Sequence, residues 1–337
     1  MSDPEFNSFQ VIASTSLHSY FFPMRIFSNY NLLLDRDRGA AVAIGNFDGI
    51  HIGHQSVIER ARQFADARQI PLGVMTFEPH PREFFGPETQ PFRLMSRKAK
   101  ERQLRILGVD ILYELQFDAE LAGMSPVRFV DEILRRSLAA KAAIVGSDFR
   151  FGKDRSGNAD SLATLSHHAG FELIKVPIRT QSDVEISSTA VRAALSAGNP
   201  DEAASLLGRW HQIDGVVVKG AQRGRQLGFP TVNLEMHGLH APRYGIYAAI
   251  IDILSGPHKG QYSGVASIGV RPTFGSHPVN LEVYLFDFGS NIYDEEISVS
   301  LVAFQRAEME FENQTLLVRQ MKEDCSTAQK ILGQLAR

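Results

Sequence analysis

The chain has 337 residues, 44% of them apolar, and a formal charge of −3 at neutral pH. That length exceeds what one core usually organises, so two domains are expected. The near-neutral charge argues against a nucleic-acid or membrane-surface protein as a whole. Cys325 is the single cysteine, which leaves no internal disulfide and fits a reducing, cytoplasmic setting. No run is long and apolar enough to span a bilayer. Residues 11–27 are moderately apolar, but His18, Pro23 and Arg25 interrupt them and no basic segment precedes them, so they do not read as a signal peptide.

From Ala40 to Gly198, short apolar runs alternate with amphipathic segments. Strands are predicted at Ala41–Gly45, Leu72–Phe77, Asp110–Glu114, Ala142–Gly146 and Phe171–Val176. Helices are predicted at Gln55–Ala67, Ala99–Leu107, Pro126–Ser137 and Ala159–His168. This alternation implies βαβ units and a Rossmann-like, doubly wound parallel sheet. Ligands bind such sheets at the carboxyl ends of strands, near the topological switch. The loops that matter are then those at Gly45–His54, after Phe77 and after Val145.

The first loop reads Gly45-Asn46-Phe47-Asp48-Gly49-Ile50-His51-Ile52-Gly53-His54. It lies at a strand-to-helix turn. A helix N-terminus offers free N–H groups and partial positive charge, which suits a phosphate. His51 and His54, three apart, add two imidazoles on one face. Gly45, Gly49 and Gly53 let the backbone turn tightly and approach a ligand. A tight turn with two solvated histidines is the plain alternative. Asp48, two histidines and three glycines together favour a nucleotide site.

The second loop, Thr76-Phe77-Glu78-Pro79-His80-Pro81, holds His80 between two prolines. On these residues alone, a stiff surface turn and a functional role weigh equally. The third, Gly146-Ser147-Asp148-Phe149-Arg150-Phe151-Gly152-Lys153, is not a P-loop. Five residues separate its glycines, and Asp154 stands where Ser or Thr should follow the lysine. Ile186-Ser187-Ser188-Thr189-Ala190-Val191-Arg192 then opens a helix that Gly198 ends, with Ser188 or Thr189 as the N-cap. Capping is part of the reading. Three hydroxyls and an arginine at a helix start also make a phosphate-binding set. A helix at Glu202–Leu207 closes this half. Gly208-Arg209-Trp210-His211 marks a change of style.

From Ile213 the helical period disappears. Strands are predicted at Ile213–Lys219, Gly245–Ile253, Tyr262–Ser267, Asn280–Phe286 and Glu296–Ala303, separated by Gly, Pro and Asn turns. They suggest a small antiparallel β-barrel. A helix at Thr315–Leu335 follows, with Leu316, Leu317, Val318, Met321, Ile331 and Leu335 available for its apolar face. The first turn of this half, Lys219 to Gly228, places glycine at 220, 224 and 228 among basic residues including Arg225. It reads as a loop that folds over phosphates. Thr231 and Asn233 share one face of a strand, with oxygens suited to Mg²⁺. Leu281, Val283 and Leu285 share one face of another strand, and Asn280, Glu282 and Tyr284 the other. If that second face points into the barrel, Glu282 is a semi-buried carboxylate able to act as a base. A solvated strand residue is the plain alternative.

In order along the chain, these motifs resemble the bacterial bifunctional riboflavin kinase/FMN adenylyltransferases, or FAD synthetases. Asn46–His54, Thr76–Pro81, Gly146–Gly152 and Ile186–Arg192 match the nucleotidyltransferase half. Gly228-Phe229-Pro230-Thr231-Val232-Asn233, Gly269-Val270-Arg271-Pro272-Thr273-Phe274-Gly275 and Leu281-Glu282-Val283 match the riboflavin kinase half. The resemblance implies an FMN adenylyltransferase domain at 25–200 and a riboflavin kinase barrel at 201–337. It implies riboflavin, FMN, FAD and ATP as substrates and products, with Mg²⁺, and requires neither nucleic acid nor membrane. Homo-oligomer formation stays open. It assigns Gly45, Phe47, Asp48, Gly53, His54, Ser188, Thr189 and Arg192 to ATP in the first half, with His51 and His54 catalytic. Asp148, Phe151, Gly152 and His80 would line the flavin or nucleotide pocket. Gly220, Gly224, Arg225, Gly228, Thr231 and Asn233 would hold ATP in the second half, Thr231 and Asn233 the metal, and Glu282 would be the base.

Five positions depart from the family pattern. Val232 stands for the usual Ala and should face away from the metal. Tyr284 stands for His, Asp294 for Gly, and Trp210-His211 for Pro-Tyr. Other readings exist. His51–His54 also spells a class I aminoacyl-tRNA synthetase signature, which the net charge disfavours. A nucleotidyltransferase with another acceptor leaves Gly228–Asn233 without a role. A non-catalytic flavin-binding protein leaves the intact histidine pair unexplained.

Overall fold

The computed structural model describes residues 23–86, 90–181, 184–220, 224, 227–270 and 279–335. The central strand shows why the first half folds as it does. β2 (Ala41–Ile44) is apolar at every position and wholly buried. Val42 and Ile44 pack into one core with Met75, Ile133 and Leu162, whereas Ala41 and Ala43 pack into another with Ile58, Ala61 and Leu104. A strand covered on both faces must be apolar throughout, as parallel sheets require. With β1 (Arg25–Phe27), β3 (Leu72–Glu78), β4 (Ile111–Gln116), β5 (Ala142–Gly146) and β6 (Glu172–Val176), it forms a sheet ordered β1-β4-β3-β2-β5-β6. Every pairing is parallel. All five predicted strands are present. The three-residue β1 was missed because it is too short to carry a pattern.

Helices α1 (Ile52–Arg68), α2 (Pro81–Phe85) and α3 (Arg97–Ile106) follow β2 and β3. The chain then continues into α4 (Pro126–Arg128, running on as a π-type helix Phe129–Ser137) and α5 (Ala159–Ala169). α1 and α3 cover one face of the sheet and α4 and α5 the other. The chain steps outward from β2 through β3 to β4, then returns across β2 to β5 and β6. The switch point is therefore between β2 and β5, and ligand crevices form there. α6 (Ser188–Ala197) and α7 (Pro200–Leu207) pair through Val191, Leu195, Ala203 and Leu207, with Leu94 and Ile186 beneath. The N-cap of α6 is Ser187, whose side chain accepts from Ala190 N, and not Ser188 or Thr189. The extended Ser187 backbone starts the helix one residue early.

The second half is a curled antiparallel sheet. Its strands are β7 (His211–Val216), β8 (Thr231–Glu235), β9 (Gly245–Ile253), β10 (Gly260–Val270), β11 (Val279–Leu285) and β12 (Glu296–Arg306). They run in the order β7-β12-β9-β10-β11-β8. Its two ends meet just past β7, where Val218 N donates to Asn233 O at 2.9 Å. Ile251, Leu281, Val283, Leu285, Val299 and Leu301 fill the interior. The Glu282 face of β11 therefore points out of the barrel, not into it. The C-terminal helix α8 (Gln314–Leu335) lies on the outer surface, burying Ala328 and Leu332 against Ala248 and Val302. Leu316 and Leu335, expected on its apolar face, are 37% and 50% exposed. Burial instead follows the Asp324–Ala328–Leu332 stripe.

The halves are wired together. Arg102 of α3 makes a bidentate pair with Asp214 of β7, at 2.9 and 2.8 Å through Nη2. Gln103 Nε2 donates to Gln212 Oε1 at 2.8 Å. Arg209, at the junction, donates to the Gly49 carbonyl at 2.8 Å. No helix among the described residues is long and apolar enough to cross a membrane.

Candidate active sites

The loop after β2 turns through positive φ at Phe47 (51°), Gly49 (82°) and Ile50 (45°). That turn delivers His51 as the N-cap of α1, one position before the first helical residue, with its Nδ1 accepting from His54 N at 3.3 Å. The two imidazoles stack, centroids 3.7 Å apart. A Cβ at Gly53 would stand 3.1 Å from the His51 ring, so glycine keeps the pair close. Burial, then Arg192 and Arg209, pushes His51 down to about 4. Burial, then His51 and Lys100, holds His54 well below its ordinary value. Both rings are neutral at physiological pH, and the buried His54 Nδ1 has no hydrogen-bond partner among the described residues.

Other members of the expected set turn inward. Phe47 is 1% exposed, packed 5.2 Å from the His54 ring and against Gly45. Asp48 is buried. Its carboxylate accepts from Leu94 N at 2.8 Å and from Arg192 Nη1 at 3.0 Å, and Ser188 Oγ donates to its backbone carbonyl at 2.8 Å. Burial raises the Asp48 carboxyl, against the Leu94 N–H and Arg192. Asp48 thus ties the histidine loop to the start of α6. Through Ser188 and Arg192 the Ile186–Arg192 set meets the Gly45–His54 loop, and Arg192 also reaches Thr189 Oγ1 at 3.3 Å.

His80 caps α2 and stands edge-on to Phe92 at 5.0 Å. Arg82 and Arg192 approach the same ring. Burial, then Lys100 and Arg93, lowers His80 to about 4. Asp148 is exposed, whereas Phe151 is a core side chain under Phe149, which stacks on it at 5.6 Å. Gly152 adopts φ 72°, and a Cβ there would meet Pro126 at 2.8 Å. Phe149 is thus the more open ring of the pair. Sequence reasoning also passed over Leu94, Arg93 and Lys100. Arg93 binds Glu78 at 2.7 and 2.9 Å and also pairs with Glu83, fixing the segment whose Leu94 N–H holds Asp48.

The second constellation sits on the barrel's outer face. β8 and β11 pair so that Thr231 faces Tyr284 and Asn233 faces Glu282. Asn280 Nδ2 donates to Asn233 Oδ1 at 3.3 Å and to Glu282 Oε1 at 3.4 Å. Thr231, Glu282 and Tyr284 line a cavity of about 310 Å³ that Met321 and Cys325 of α8 roof. A cavity of about 200 Å³ adjoins it, sharing Phe229, Tyr284 and Cys325. Burial pushes the Cys325 thiol up to about 11. A Cβ at Gly220 would collide with the Asn233 carboxamide, and one at Gly224 with the Phe229 carbonyl. Gly228 has φ 84°. Arg225 and the Arg271–Gly275 part of the Gly269–Gly275 motif lie outside the described residues. Val232 packs toward the barrel core, away from the Thr231 face, as expected. Asp294 adopts φ 65°, which explains why glycine is usual there.

A nucleotidyltransferase-type parallel sheet is followed by an antiparallel barrel, and the families that match these two parts make the chain an ATP-dependent transferase. The FAD synthetase family model matches residues 34–190 and the riboflavin kinase model residues 207–332. Bifunctional riboflavin kinase/FMN adenylyltransferases align along most of their length. The Pseudomonas fluorescens protein is 38% identical over 91% of this chain and 98% of its own. The Haemophilus influenzae protein is 37% identical over 86% and 94%. The Bacillus subtilis protein is 33% identical over 91% and 97%. A crystal structure from Streptococcus pneumoniae, described as a macrolide-efflux protein, superposes with TM-score 0.78 at 31% identity, covering 89% of this chain and 97% of that one. The chain belongs to the bifunctional riboflavin kinase/FMN adenylyltransferase family.

Proposed function

We propose that the chain makes FAD from riboflavin in two ATP-dependent steps, with the barrel domain (201–337) acting first and the parallel-sheet domain (25–200) second. In the barrel, the ribityl 5′-hydroxyl oxygen attacks the γ-phosphorus of ATP, its proton passes to Glu282, and ADP leaves with FMN formed. In the sheet domain, a phosphate oxygen of FMN attacks the α-phosphorus of a second ATP, and pyrophosphate leaves with FAD formed. The first nucleophile is a weakly acidic alcohol and needs a base. The second is already an anion, so positioning and charge stabilisation suffice.

His51 and His54, neutral in the free protein, would donate hydrogen bonds to the ATP phosphates at the α1 N-terminus. Ser188, Thr189 and Arg192 would steady the pyrophosphate side. Asp48 acts through Arg192, and Phe47 and Phe151 act as supports for His54 and Phe149. Asp148, Gly152 and His80 line the remaining approach. In the kinase half, the Gly220–Gly228 loop, Arg225 included, would cover the nucleotide. Thr231 and Asn233 present a hydroxyl and an amide oxygen, hard donors that suit Mg²⁺. When bound, the ion neutralises charge on the transferred phosphoryl group. The reading requires no nucleic acid and no membrane, and a reducing cytoplasm suits its single cysteine.

What carries the reading is the cross-strand face of Thr231, Asn233 and Glu282 beside one cavity, in a domain separate from the histidine pair. Incubation with riboflavin, ATP and Mg²⁺ should yield FMN and then FAD by chromatography. No flavin product would overturn the reading. FMN without FAD would confine it to the barrel.

A further inference from the structure

Lys100 is a buried lysine that the scheme above leaves unused, its ammonium pushed below the ordinary lysine range by burial, against Glu78 and Asp48. It is 4% exposed, and burying an ammonium is costly unless its surroundings compensate. α3 carries it. Ser96 caps that helix, and Ala99 and Leu104 anchor it in the core. From there the side chain runs beneath the carboxyl ends of β2 and β3. Its Nζ donates to the Asn46 carbonyl at 3.1 Å and to Thr76 Oγ1 at 3.4 Å. Thr76 Oγ1 donates to the same carbonyl at 3.1 Å. One carbonyl thus takes two donors, and it belongs to the second residue of the Gly45–His54 loop.

A trans peptide directs its C=O and N–H to opposite sides. Holding the Asn46 carbonyl therefore also fixes the direction of the Phe47 N–H. Phe47 then adopts φ 51°, which a non-glycine residue keeps only when its surroundings impose it. Around the ammonium stand Asp48 of the loop, Glu78 of β3, Glu114 of β4 and the Arg93 guanidinium. Its charge also acts on His54 and His80, disfavouring their protonated forms.

We propose that Lys100 is a positioning residue for adenylyl transfer, holding from beneath the loop that receives the ATP phosphates. This rests on the adenylyl-transfer reading of the first domain. The test follows two rates in the full-length protein, FAD formation from FMN and FMN formation from riboflavin. In Lys100→Met, FAD formation falls ~10–100-fold, the scale of a site displaced by about 1 Å, while FMN formation is unchanged. The acid limb of the FAD-forming rate moves to higher pH, because His54 and His80 lose a repelling cation. Thr76→Val, which keeps the charge but loses the hydroxyl, lowers FAD formation and leaves that limb in place. Wild-type protein that makes no FAD overturns both the function and this inference. Wild-type activity in Lys100→Met, or a loss shared equally by both reactions, overturns this inference alone. Should Lys100→Met fail to fold, unchanged FAD formation in Thr76→Val overturns it.

Discussion

Asn233 and Glu282 face each other across β8 and β11, and Asn280 donates to both side chains, at 3.3 and 3.4 Å. The carboxylate is thereby fixed beside the oxygens expected to meet Mg²⁺ and opens on the cavity under α8. Glu282→Ala should lower FMN formation ~10²–10⁴-fold, the range for a general base. FAD formation from supplied FMN should persist. Equal loss of both activities would contradict the assignment.

His54→Ala should show the opposite pattern. Removing one preorganised donor from a charge-stabilising site costs about 10²–10³-fold in rate. FAD formation from FMN should fall by that amount while riboflavin is still phosphorylated. The stacked geometry adds a structural check. His51→Ala also removes the N-cap of α1, so it should lower the melting temperature more than His54→Ala.

How far the sequence discloses these sites depends on how far away the supporting groups lie. β2 and β5 are legible because burial on both faces leaves only apolar residues. Gly45–His54 is legible because turn glycines and histidines are consecutive. Lys100 is not, since Arg97-Lys98-Ala99-Lys100-Glu101-Arg102 has the look of a solvated charged face. In the structure that run splits, Lys100 turning into the sheet and Arg102 to the barrel. The direction of Asp48 is equally hidden. Its carboxylate points inward only because positive φ on either side, at Phe47 and Gly49, reverses the loop. The outward face of Glu282 depended on which side of β11 the barrel closes, which strand alternation alone leaves undecided.

Asp48→Ala should be a stability mutation before it is a catalytic one. It leaves Arg192 without its buried partner and the Leu94 N–H without its acceptor. Breaking a buried pair by deleting one member costs about 3–5 kcal/mol. Thermal unfolding should show a large loss. Asp48→Asn, which keeps an acceptor for Leu94 N, should recover part of it. Equal melting of the two variants would mean that the Leu94 bond contributes nothing.

Gly220→Ala and Gly224→Ala should damage the kinase reaction without unfolding the protein. The methyl added at Gly220 enters space held by the Asn233 carboxamide, and the one added at Gly224 meets the Phe229 carbonyl and comes within 3.2 Å of Thr231 Oγ1. FMN formation should drop with a raised KM for ATP, while FAD formation from FMN is untouched. Wild-type kinase kinetics in both variants would show that the loop does not need glycine there.

Acid should destabilise the fold through its buried histidines. Burial lowers His211 to about 3 and His51 to about 4, from 6.5 in the unfolded chain. The sign follows from proton counting. Above pH 6.5 both states leave these rings neutral, and stability does not depend on them. As the pH falls from 6.5 toward 4, the unfolded chain binds protons that the folded state refuses, and unfolding gains. By pH 5 the loss is on the order of 1–2 kcal/mol for each ring. Asp48 and Glu114, both raised by burial, carry the opposite sign, so a difference between proteins isolates the histidine contribution. The melting temperature of wild type should drop between pH 7 and pH 5 more steeply than that of His211→Asn. Parallel curves for the two proteins would show that His211 takes up its proton in the folded state.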